Sequence, residues 1–87
     1  MHAVVTTVTI NDREAAESHL NEQVVPGVKQ APGLVNGYWA RKENSGLAMV
    51  VFESEDVAND MAERVPSMLT DAVTLENVEV REVVAHT

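Results

Sequence analysis

Leu47 to Phe52 reads Leu-Ala-Met-Val-Val-Phe, with no polar side chain on either parity. Successive side chains of a strand point to opposite faces of its sheet. A strand with one face in water alternates apolar and polar residues, whereas one that is apolar throughout is covered on both sides. Whatever this chain folds into must therefore set two apolar layers against this segment.

The flanking residues say what those layers are. Ala3 to Ile10 is dense in valine and threonine, with Val4, Thr6, Val8 and Ile10 on one parity; β-branched side chains at that density favour a strand. Asn11-Asp12-Arg13-Glu14 has the form of a capping box, Asn11 accepting from the third residue on and Glu14 reaching back. A first helix follows from Asp12 with Ala16, Leu20 and Val24 as its apolar stripe. Pro26-Gly27 is predicted to kink or end its regular part, because the Pro26 ring meets the Glu22 carbonyl. Val28 lies in a further turn, and Ala31-Pro32-Gly33 stops the helix.

Leu34 to Lys42 is the second strand, joined to the third by the turn Glu43-Asn44-Ser45-Gly46. Ser54 caps a second helix whose inner face is Val57, Ala58, Met61, Ala62 and Val65, and whose expected end is Pro66. Ser67 to Leu75 shows no period, and Asn77 to Ala85 is the last strand. The order is βαββαβ: a ferredoxin-like α+β domain over 1–87, with a four-stranded antiparallel sheet and two helices on one face. The other face stays open. It carries either Leu47, Met49 and Val51 or Ala48, Val50 and Phe52. A second copy of the chain is the simplest cover, giving a homodimer; the competing expectation is a monomer whose Ser67–Leu75 segment folds over that face.

Composition narrows the function. Fourteen acidic residues against six basic ones give a formal charge of −8, which repels phosphate backbones and anionic membranes and argues against nucleic-acid or membrane partners. No apolar run reaches the roughly 18–20 residues of a membrane span. The N-terminal Met1-His2-Ala3-Val4-Val5-Thr6 lacks the basic segment of a signal peptide, so a cytoplasmic protein is expected. With no cysteine there is neither a disulfide framework nor thiolate chemistry. His2, His19 and His86 have no metal-ligand spacing, and no metal or cofactor is expected. The glycines form no phosphate-binding loop, and no serine sits in a Gly-x-Ser-x-Gly context.

A pattern spread over most of the chain resembles the dimeric α+β barrels, in particular the antibiotic-biosynthesis-monooxygenase-like domains. It comprises Val25-Pro26, Ala31-Pro32-Gly33-Leu34-Val35 with Gly37-Tyr38-Trp39, and the run from Met49-Val50-Val51-Phe52 through Glu53-Ser54-Glu55-Asp56 to Val57-Ala58. The resemblance implies a barrel of two sheets, with a pocket between sheet and helices in each subunit. Its better-known members are cofactor-independent oxygenases of aromatic polyketides, heme-degrading monooxygenases, and small isomerases and lyases. The heme-degrading branch does not carry over. Its pocket tryptophan corresponds to Phe52, its strand-one asparagine falls near Thr6, and its helix-two histidine has no counterpart beside Met61 and Met68.

Five residues are candidates for the site. His19 lies at the margin of the first helix stripe and has a pKa range suited to acid–base work, unless it is a rim histidine with an ordinary hydrogen bond. Tyr38 and Trp39 are adjacent in a strand and point to opposite faces, so one faces the helices and could hold a flat ligand, unless both are plain anchors. Phe52 and Met61 fit an apolar pocket lining and equally fit plain core. Two functions stay open at this level: a monooxygenase-like enzyme acting on an apolar or aromatic small molecule, or a non-catalytic dimeric ligand-binding or structural module.

Overall fold

The fold was obtained as a computed structural model describing residues 1–87. The valine- and threonine-rich segment forms β1 (His2–Ile10) and takes a central place in the sheet. It pairs with β3 (Ser45–Phe52) on one side and β4 (Val73–Glu82) on the other, while β2 (Leu34–Lys42) lies outside β3. Every neighbouring pair is antiparallel, in the order β2-β3-β1-β4. Both helical arms pack on one face.

Register decides which half of β3 is inward. Val4 is opposite Val50 on one side and Val80 on the other; Val4 and Val50 belong to the packed core with Phe52, Val28, Ala58, Met61 and Val65, and the partly buried Val80 packs against it. Gly46, Ala48, Val50 and Phe52 thus face the helices. Leu47, Met49 and Val51 share the outer face with Ala3 and Val5. Leu47 and Met49 are about half exposed there, and Val35 and Tyr38 add further exposed apolar surface.

The first helix differs from its sequence expectation at both ends. Its N-cap is Asp12, whose Oδ1 accepts from the Ala15 amide at 3.0 Å. The amides of Asn11 and Asp12 both donate to Ala72 O, which draws Asn11 toward the loop before β4. Its side chain donates there to Asp71 O and Thr74 Oγ1, and no capping box forms. Pro26 does not break the helix either. α1 (Arg13–His19) passes through a π-turn (Leu20–Val24) into α2 (Val25–Lys29), with the Val25 amide bonded to Leu20 O five residues back. The wide turn leaves Pro26 in the first turn of α2, where a proline is tolerated. It also corrects the stripe. Residues four apart drift by about 40° per step on a regular α-helix, and the extra residue of the wide turn offsets that drift, so Ala16, Leu20, Val24 and Val28 all look at the sheet.

α3 (Glu55–Met68) is capped as expected by Ser54, whose Oγ accepts from the Val57 amide. It runs past Pro66 to Met68. Pro66 is exposed near the helix end and removes only one backbone bond, while Val65 is held in the core. β4 starts at Val73, earlier than the period suggested, because the register shifts between Thr7 and Val8 and leaves Glu76 bulged. Val73 and Leu75 therefore share a face with Val78 and Val80 although their spacing changes parity. The segment 67–75 thus ends α3 and begins β4 on the helix side of the sheet, and does not cover the outer face.

Gly46 shows how closely the two central strands approach. A Cβ at this position would lie 2.8 Å from Val8 Cγ2 and 3.6 Å from Ile10 Cδ1. Gly46→Ala is expected to cost about 1–3 kcal/mol through overpacking, read as a lower urea midpoint with an unchanged slope. A variant as stable as the parent would contradict this packing.

Candidate functional site

Between the sheet and the helical arms lies a cavity of about 290 Å³. Its floor is the inward face of β1, with Val4, Thr6 and Val8, and its roof includes Leu20, Val24 and Met61. Seventeen of the twenty-four lining residues are hydrophobic, so the interior selects for apolar ligand surface. Thr6 is the polar exception in the floor and is 7% exposed.

Trp39 lies along one wall. Its ring rests over Gly37, where an added Cβ would come within 3.1 Å of Trp39 Cη2. The missing side chain is what lets the indole lie against the sheet. Neither the Thr6 hydroxyl nor the Trp39 N–H takes part in a side-chain hydrogen bond of the chain. Both remain free to engage a ligand.

His19 joins the two arms. It ends α1, lines the cavity, and places Nε2 2.8 Å from Met68 O at the end of α3. A carbonyl oxygen can only accept, so Nε2 carries the hydrogen. In the neutral ring this leaves Nδ1 as an acceptor, the state a general base needs.

The rim is charged. Arg13, Glu17 and Arg41 all border the cavity. Arg13 Nη2 donates to Glu43 O at 3.2 Å, and Arg41 Nη1 stands 3.6 Å from Glu17 Oε2.

Of the five candidate residues, the structure brings His19, Trp39 and Met61 together around the cavity. Tyr38 is elsewhere: it is 69% exposed on the outer face, opposite Met49, because it has the other parity from Trp39. Phe52 is also not a lining residue. It is completely buried at the end of β3 and packs in the core beside the cavity. His2 sits away from the cavity with Nε2 3.1 Å from Glu55 Oε2. No cluster of three His, Cys, Asp or Glu side chains is arranged to hold a metal ion.

Thr6, Arg13 and Arg41 are site residues that sequence reasoning did not single out. Thr6 had a signal, since it shares parity with Val4 and Val8. The arginines had none, because their approach depends on the first helix crossing the β2–β3 hairpin.

No family profile and no curated protein matches the chain. Among solved structures, it is similar to a mutant of SnoaB, a cofactor-independent oxygenase from Streptomyces nogalater. The match has a TM-score of 0.77 and 19% sequence identity, and covers 98% of this chain and 94% of that one. At that identity the likeness is one of architecture: the chain has the ferredoxin-like α+β fold found in that oxygenase.

Proposed function

We propose that this chain is a cofactor-independent, monooxygenase-like enzyme that acts on a small apolar or aromatic molecule and works as a homodimer. The observation that carries the reading is a cavity of about 290 Å³ with an apolar interior and one imidazole on its wall, held by Met68 O so that its other nitrogen can accept a proton. Likeness of fold to a cofactor-independent oxygenase supports the reaction class. The volume is near the lower end of the roughly 300–1,000 Å³ usual for ligand pockets, which favours a compact ring system.

In this reading His19 Nδ1 removes a proton from an activated CH₂ of the substrate. The carbanion passes one electron to dioxygen, the two radicals combine to form a C–O bond, and the peroxide is protonated to a hydroperoxide. Loss of water then leaves a ketone, so that CH₂ and O₂ become C=O and H₂O. The chain's contribution is to bind, deprotonate and exclude bulk water.

Oxygen uptake with a panel of naphthols and anthrones tests this. Uptake above the uncatalysed rate is expected, falling by about 100-fold or more in His19→Gln, which keeps a donor for Met68 O and has no base. The bland interior favours a second reading, a non-catalytic ligand-binding dimer. Quenching of Trp39, the single tryptophan, by these compounds without oxygen uptake would select it. Leu47, Met49, Val35 and Tyr38, exposed on the outer face, support the dimer in either case.

A further inference from the structure

The charged residues that line the cavity run against the overall balance of the chain. The chain has four arginines and a formal charge of −8, yet two of those arginines border this cavity, against Glu17 as its acidic lining residue. The rim is thus locally positive on a strongly acidic protein. We infer that it recognises a carboxylate, so that the ligand is an apolar ring system ending in an anionic head group. This rests on the reading of the cavity as a ligand site and adds to it the chemical class of the ligand.

Both guanidiniums have donors to give. Arg13 uses one N–H on Glu43 O and keeps four. Arg41 and Glu17 are 3.6 Å apart, beyond the roughly 2.7–2.9 Å of a tight charge-assisted bond. Their side chains are 41% and 60% exposed, and a pair so open contributes little. A ligand carboxylate can replace Glu17 on Arg41 at small cost and gain the fork geometry of the guanidinium. Arg41 pairs with Gly46, and the space over that glycine is filled by Val8 and Ile10, so the guanidinium stands over an apolar surface at the rim. With the head group held at the rim, the ring system extends inward toward Trp39 and His19.

Calorimetric titration of the full chain with naphthalene-2-carboxylate and naphthalene-2-methanol isolates the head group, since the ring is the same. The carboxylate is expected to bind at least ten times more tightly at low salt, with its advantage shrinking as sodium chloride is added. In the double variant Arg13→Gln, Arg41→Gln the two compounds are expected to bind equally. Lys29→Gln, Arg64→Gln removes the same charge outside this cavity and keeps the preference. Equal affinities in the parent protein, or a preference that survives loss of Arg13 and Arg41, overturn the inference and leave the oxidation reading standing. Binding of neither compound removes the ligand-site reading and the inference with it.

Discussion

Tyr38→Asp, Met49→Asp is expected to sediment as a folded chain of 9.5 kDa, and the parent protein, as the proposed homodimer, is expected to sediment at twice that mass. The two residues are directly opposite each other on β2 and β3, and are 69% and 41% exposed in a single chain. Together with Leu47 and Val35 they make an apolar surface that the chain's own helices do not cover, since both helical arms lie on the other face. Burial of such surface yields about 25 cal/mol per Å², and the segment 67–75 is committed to the cavity side. A two-fold axis would bring each aspartate into the interface twice. Four carboxylates taken out of water without partners cost far more than the lost contacts alone. Neither side chain lines the cavity, so the fold and the cavity should survive in the variant. A parent protein that stays monomeric at micromolar concentration would sink the proposed homodimer.

The second large effect is on stability. Phe52→Ala is expected to lower the unfolding free energy by about 3–5 kcal/mol, the range for truncating a buried aromatic side chain. Phe52 has no exposed surface. It lies opposite His2 on β1 and Leu34 on β2, and packs in the core with Val4 and Ala58. In a domain whose total stability is of the order of 5–15 kcal/mol, this change threatens the fold itself. Urea unfolding at one fixed protein concentration measures it, since the proposed dimer would add a concentration-dependent share to stability. Because Phe52 is apart from the cavity wall, the fraction still folded should bind ligand as the parent does. A loss below about 1 kcal/mol would contradict its place as the core anchor.

Several elements were readable from local chemistry alone. Ser54 caps α3 because its hydroxyl needs only the amide three residues on. The strand Leu34–Lys42 lies where its residues predicted it. The failures have a common cause. Asn11 is a good capping residue in isolation, but two amide bonds to Ala72 O turn it toward β4 and give the cap to Asp12. Leu75 and Val78 look out of phase until the bulge at Glu76 puts them on one face. Pro26 reads as a helix break until the π-turn before it moves it into a first turn. At the site, His19 and Met61 could be named from their helix stripes, and Trp39 from its strand. Tyr38 could not be separated from Trp39 without knowing which parity faces the helices.

What the chain's linear order determined is the set of elements, their sequence along the chain, and the need for two apolar layers around Leu47 to Phe52. These follow from side-chain period, capping and turn chemistry, which act within a few residues. Tertiary structure decided the rest: that Gly46, Ala48, Val50 and Phe52 face inward, that His19 meets Met68 across 49 positions, and that Arg13 and Arg41 border one cavity. Those arrangements depend on register and packing between distant segments. A single bulge or wide turn changes them without leaving a mark in the local pattern.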